Sequence, residues 1–182
     1  MNIFLDTATS DFVLILFDNN FQVHDFFILE NFKKKVDYIP EYFETFLSKN
    51  NLKVNDLSGL YTNLGPGFFT GARTSLVYLR TIAMALNLPL YFTNSFSILM
   101  KQNFNQKLYL DAQGNKLYEF DVQNKKPNQT NVLVISKENQ KIDQIDYHQM
   151  VVNFKDYQDV FETSELLKIE PLYIKKPQIG GA

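Results

Sequence analysis

The chain has 182 residues, a formal charge of −2 and no cysteine. That length suits one domain, or one domain with a small second lobe, and buries enough surface to need no disulfide or metal staple. The missing thiols exclude disulfides, zinc thiolates and cysteine nucleophiles, and the near-neutral charge offers no global attraction to nucleic acid.

The first residues, MNIFLDTATS, are apolar only briefly and carry no basic leader. No run approaches the ~20 apolar residues that a membrane helix needs. A soluble, cytoplasmic protein without membrane contact is the expectation. Residues 3–8, 12–18 and 21–29 read as a three-strand meander, with Asn19-Asn20 as a hairpin turn because Asn tolerates positive φ. The period then changes. Val36, Ile39, Phe43, Phe46 and Leu47 form one apolar helical stripe, and Pro40 belongs in the first turn of that helix.

A short buried strand is expected at 58–63, followed by LGPGFFTGAR and a helix over about 70–87. That helix is apolar on more than one face, so it belongs deep in a core or against another molecule. It also holds both arginines of a chain that otherwise has sixteen lysines. Arg73 and Arg80 are seven residues apart and share a helix face, where their planar forks could meet carboxylates. A strand at 89–93 and a helix at 94–104 complete a βββαβαβα order, an α/β pattern of a meander extended by parallel strands.

Beyond a boundary near 104, residues 107–112 and 116–122 read as a hairpin around Gln113-Gly114-Asn115, and 132–136 as a strand. Residues 137–160 are polar and assign to no element. TSELLKIEPLYI suggests a short helix and then a strand, and the terminal IGGA reads as disordered. The expected organisation is a first lobe over 1–104 and a small second lobe over 105–182.

Two segments could carry chemistry. In Gly65-Pro66-Gly67-Phe68-Phe69-Thr70-Gly71-Ala72-Arg73, three glycines crowd a strand-to-helix junction, where backbone N–H groups can approach an anion or another chain. Thr70 is a candidate helix cap. A tight turn that only redirects the chain explains the same residues equally well. The spacing rules out a P-loop, because no Gly-Lys-Ser/Thr follows. The second segment is Asp6-Thr7-Ala8-Thr9-Ser10 at a strand end, where a carboxylate and hydroxyls could hold a magnesium-bound phosphate. A self-bonded polar turn is the simpler reading. His24 and His148 lie far apart and match no zinc spacing, so no metal site is expected. Lys33-Lys34-Lys35 reads as a solvated approach to the first helix.

LDTAT at 5–9, GPGFFTGAR at 65–73, LDA with Tyr118 at 110–118 and PLYIKKP at 171–177 occur together and in this order. The set resembles the TsaB (YeaZ) family over nearly the whole chain. The resemblance implies an actin-like ATPase (ASKHA) fold with a βββαβα first lobe and a shortened second one. It implies a non-catalytic subunit that binds and activates TsaD, the paralogue that transfers threonylcarbamoyl to adenosine 37 of tRNA. A TsaE-like ATPase would join the pair, the free chain could form a homodimer, and tRNA would be met only through the complex. No intrinsic cofactor is implied, with ATP or ADP at the partner interface left open.

Mapped onto this chain, the interface helices would carry Val36, Ile39, Phe43, Arg73, Leu76, Leu79, Arg80 and Ala83. Any nucleotide or anion contact would fall to Asp6, Thr7, Thr9, Gly65, Gly67, Thr70 and Gly71. A charge placed at Leu76 or Leu79 is expected to break the complex without unfolding the monomer. The chain departs from the family at Phe68, Thr74, Ser75 and Val77, where small residues are usual, and at Asp111-Ala112-Gln113, where Asp-Ala-Arg is usual. Two other classes stay open: a stand-alone ATPase or phosphotransferase of the actin-like superfamily, and a metal-dependent hydrolase.

Overall fold

The computed structural model describes residues 1–175. Strands β1 (Asn2–Asp6), β2 (Phe12–Phe17) and β3 (Val23–Leu29) form the expected antiparallel meander. After β3 come helix α1 (Ile39–Lys49), β4 (Gly59–Asn63), α2 (Phe69–Leu86), β5 (Leu90–Thr93) and α3 (Ser95–Gln102). The remaining elements are β6 (Lys107–Asp111), β7 (Lys116–Asp121), β8 (Val132–Ser136), α4 (Tyr147–Val152) and the two-residue β9 (Glu162–Thr163).

One mixed sheet has the order β3-β2-β1-β4-β5-β9, with β1, β4 and β5 parallel. A second sheet, β6-β7-β8, is antiparallel. Every residue of β1 and β2 is buried, which is why both read as continuous apolar runs and not as alternating ones. Alternation along β1 sends Ile3 and Leu5 to one face and Phe4 to the other. The first face is covered by α1 and α2 through Phe43, Phe46, Leu76 and Leu79. The second is covered by α3, the small sheet and α4, through Phe96, Leu108, Phe120 and Met150. The chain after 104 therefore shares its core with the large sheet, and β9 returns to that sheet's edge beside β5.

Several local rules decide boundaries. Pro40 sits in the first turn of α1 as its missing N–H requires. Residues 35–38 form a tighter 3-10 turn ahead of it, so Val36 precedes the α-helix. Asn87, left-handed at φ 52, ends α2, and the Asn94 side chain caps α3 through the Ser97 N–H at 2.9 Å. The region 137–160 resolves into α4, capped by Asp146, and a 3-10 stretch over Phe154–Val160. Its apolar anchors Tyr147, Met150, Phe154 and Tyr157 are buried among polar neighbours, so the stripe is too sparse to read. The strand expected within PLYI does not form: residues 169–174 run as an irregular strap. The IGGA tail and the last two residues of PLYIKKP lie outside the described residues.

The strand-to-helix junction is where backbones come closest. A Cβ on Gly71 would stand 1.8 Å from the Thr7 carbonyl oxygen, and one on Gly67 would stand 2.2 Å from that of Ala8. Neither obstacle is a flexible side chain. Gly71→Ala should cost at least about 3 kcal/mol, whereas Gly114→Ala, with open space around it but a φ of +65, should cost about 1 kcal/mol. Urea denaturation of the two variants beside wild type checks the ranking.

Candidate functional site

Two clefts flank the loop 65–68. One, of about 650 Å³, lies against Thr9, Asp11, Asp111, Asp143, Tyr147 and His148. The other, of about 590 Å³, lies between the start of α2, the β6–β7 turn and the strap, against Phe69, Lys116, Tyr173 and Lys175. Pro66, Gly67, Phe68 and Gln113 line both.

The two motifs expected to hold a phosphate are instead locked to each other. The Thr7 hydroxyl donates to the Gly71 carbonyl at 2.8 Å, and the Phe68 N–H donates to the Ala8 carbonyl at 2.6 Å. Gly65, at φ 84, donates its N–H to the Asn63 side chain and accepts from Ser95 N–H, each at 2.9 Å. Thr70 does not cap α2. The cap position is Phe68, which makes no side-chain cap bond, and the exposed Thr70 lies one residue inside the helix and accepts the Thr74 hydroxyl on its carbonyl.

Asp6 is fully buried and both its oxygens are engaged. It accepts from the Ala8 N–H at 2.7 Å, from the Asn63 amide at 2.8 Å and from the Tyr147 hydroxyl. The Tyr147 hydroxyl also lies 3.1 Å from the Thr9 hydroxyl. Desolvation pushes the Asp6 carboxyl above its usual range, partly offset by those hydrogen bonds and by the Lys35 ammonium. Burial, and then the Asp6 charge, push the Tyr147 phenol well above its own. Asp6 and Thr7 thus have no face toward either cleft, which corrects the expectation that they contact a phosphate. Of that expected set, Thr9 and Gly67 reach the first cleft, and Gly65 and Gly67 reach the second.

Lys35 corrects a second expectation. Its side chain is buried, its ammonium donates to the Thr9 carbonyl, and it stands 4.5 Å from the centre of the Phe68 ring. Desolvation lowers its pKa, opposed by the charges of Asp6 and Asp11. The spacing offered a signal: Lys35 is four residues before Ile39 and eight before Phe43, on the face those two bury. Asn63 and Tyr147, the partners that close the Asp6 site, stand in no recognisable spacing, so the sequence carries no signal for them.

The partner-facing residues also need correction. Ile39, Phe43, Leu76, Leu79 and Ala83 are 1%, 0%, 2%, 0% and 1% exposed. They hold α1 and α2 to the sheet, and a charge at Leu76 or Leu79 would unfold the monomer. Val36 is half-buried against the same core. Besides Phe69 and Ala85 at its ends, α2 leaves exposed the stripe Thr70, Arg73, Val77, Thr81 and Met84, spaced three and four apart. Val77 is 51% and Met84 61% exposed. Arg73 is on that stripe. Arg80 is not free to meet a partner, because its guanidinium donates to the Ile169 carbonyl and its Nε is enclosed.

Among the described residues, no three His, Cys, Asp or Glu side chains converge as metal ligands, and no helix is long and apolar enough to cross a membrane. Residues 32–163 match the family described as "TsaD: tRNA N6-adenosine threonylcarbamoyltransferase". The chain belongs to this family. A relative from Buchnera aphidicola subsp. Baizongia pistaciae (strain Bp), "tRNA threonylcarbamoyladenosine biosynthesis protein TsaB", is 31% identical over 65 residues. That match takes in 36% of this chain and 29% of the relative's length. Two solved structures share the fold. One is an uncharacterized protein with similarity to peptidase YeaZ from Pseudomonas aeruginosa, with a TM-score of 0.64, 13% identity and coverage of 96% of this chain and 99% of that one. The other is YeaZ from Pseudomonas aeruginosa, with a TM-score of 0.57, 15% identity and coverage of 79% and 70%.

The Asp6 environment gives a pH prediction with a definite sign. Its folded-state pKa lies above the ordinary aspartate value, so its contribution is most favourable at low pH and is lost as pH rises through the folded value. The Asp6→Asn variant lacks this titration. Wild type should therefore gain stability relative to Asp6→Asn as pH is lowered from neutral through the Asp6 folded-state pKa toward the ordinary aspartate range, read by urea denaturation of both proteins. A constant difference between them would mean Asp6 is not held as described.

Proposed function

We propose that this chain is a non-catalytic subunit of the tRNA threonylcarbamoyladenosine (t6A) modification machinery, and that it docks on and activates a TsaD-type transferase. The observation that carries the reading is the exposed outer face of α2, with Val77 and Met84 in solvent, on a chain of this family. Val77 and Met84 stand in solvent on a helix whose other faces are already buried, and such a stripe calls for a cover. The Buchnera relative is named for t6A biosynthesis, and we carry that role to this chain. The sealing of Asp6 and Thr7 supports a subunit that does not itself turn over nucleotide, in an actin-like fold whose strand-end motif now serves packing. In this reading the chain has no cofactor of its own, a TsaE-type ATPase joins the assembled pair, tRNA is met through the transferase, and a homodimer can cover the stripe when the transferase is absent.

Activation needs no chemistry from this chain. A subunit that binds one conformation of the transferase more tightly than another shifts the population toward it by that difference in affinity. Val77→Asp should weaken binding of the cognate TsaD-type subunit by at least about 100-fold, or about 2.7 kcal/mol, while leaving the unfolding midpoint of the free chain nearly unchanged. Calorimetric titration reads the first quantity and thermal denaturation the second. Unchanged affinity would place the interface elsewhere.

A further inference from the structure

The two sheets end in four edges, and three of them are closed in ordinary ways. β3 carries charge, with Asp25 paired to Lys49 at 2.8 Å, and β9 is only two residues long. β6 is covered: the Tyr109 N–H donates to the Asp143 carboxylate at 2.7 Å, and the Tyr109 carbonyl accepts the Asp143 N–H at 2.8 Å. β8 has none of these protections. Val132-Leu133-Val134-Ile135-Ser136 holds no charge, no proline and no break in its register with β7. Leu133 and Val134 are 52% and 40% exposed.

The ladder says which backbone groups of β8 are free. The Lys137 N–H donates to the Asn115 carbonyl at 3.1 Å, one step beyond the Lys116–Ser136 pair. Bonded pairs alternate along an antiparallel ladder, so Leu133 and Ile135 turn their N–H and C=O groups to β7, and Val132, Val134 and Ser136 turn theirs away. The Asn128 carbonyl takes the Val132 N–H at 3.2 Å. Among the described residues, no group bonds the Val132 carbonyl or the backbone of Val134 and Ser136 on that side. The strand matches this row with its own reverse. When two copies of β8 run antiparallel about Val134, Val134 faces Val134, Leu133 faces Ile135 and Val132 faces Ser136. Each Val134 N–H then reaches the other copy's Val134 carbonyl, and each Ser136 N–H the other copy's Val132 carbonyl. Just outside, Lys137 falls opposite Asn131 and Glu138 opposite Thr130, so no like charges meet.

We propose that β8 is a homodimer edge: two copies of this chain pair their β8 strands antiparallel about Val134 and join two three-stranded sheets into one continuous sheet. Only a second copy makes use of the match between the strand and its own reverse. The small sheet covers the face of the large sheet opposite α1 and α2. The pairing therefore leaves the outer face of α2 open and does not depend on the docking proposed above. A five-residue edge is short beside a standard protein interface, so the dimer is weak and grows with concentration.

The test is sedimentation velocity of the full chain from about 10 to about 500 µM, beside Val134→Pro and Val134→Lys. The wild-type dimer fraction should rise across that range. Proline at 134 removes an N–H that serves no bond inside the chain, so the fold stays and the pairing goes; lysine sets like charges face to face. Each variant should weaken self-association at least about tenfold with the thermal midpoint of the monomer nearly unchanged. Because the chain has no cysteine, Val134→Cys reports the register alone. Bonded antiparallel partners stand about 5.5 Å apart between Cα atoms, within the reach of a disulfide, so mild oxidation should crosslink Val134→Cys as a dimer and leave Val77→Cys uncrosslinked. A wild-type chain that stays monomeric throughout overturns the proposal, as does a dimer that survives both substitutions or an assembly larger than a dimer. Crosslinking of Val77→Cys in place of Val134→Cys would put the contact on α2 and overturn the β8 pairing equally. Should Val134→Pro unfold, Val134→Lys decides alone.

Discussion

The close approach of the first turn of α2 to the end of β1 is the constraint on which the rest of this structure depends. Gly67 and Gly71 let the backbone rest on the carbonyls of Ala8 and Thr7, closer than any side chain permits. Two hydrogen bonds, Thr7 to Gly71 and Phe68 to Ala8, then join the segments. With the start of α2 set, its inner face drops Leu76, Leu79 and Ala83 onto the sheet, and the outer stripe is fixed as a consequence. Phe68 is fixed too, as the lid over the Lys35 ammonium.

The same contact gives the two sequence motifs a common purpose. Each has the composition of a ligand-binding segment: glycines before a helix in one, a carboxylate and hydroxyls after a strand in the other. Each finds its partners in the other, and Tyr147 from α4 supplies the last hydrogen bond to Asp6. A buried carboxylate with three donors is costly to build by desolvation but specific in what it accepts. Here it ties β1, β4 and α4 at a single point.

How far the fold was legible follows from where each residue's environment is decided. β1 and β2 are buried on both faces and announce themselves as apolar runs; α2 has a local stop in Asn87 and the proline after it. The segment 137–160 escapes because anchors such as Phe154 and Tyr157 are held by contacts with Phe4, Phe17 and Gln102, distant in sequence. The site was half legible. Periodicity marks α2 as apolar on several faces but not which face the sheet takes, so it does not separate the buried Leu76 and Leu79 from the exposed Val77 and Met84. Arg80 read as a partner contact because its acceptor, the Ile169 carbonyl, lies 89 residues away.

The account makes the chain a required partner and not a catalyst. The most direct measurement is t6A formation on a substrate tRNA, reconstituted from the cognate TsaD-type transferase, its TsaE-type ATPase and a source of threonylcarbamoyl adenylate, with and without this chain. The account predicts modification that depends on the chain, and no modification by the chain when the transferase is left out. Equal modification with and without it would contradict the account, and leave the shared fold as a record of ancestry alone.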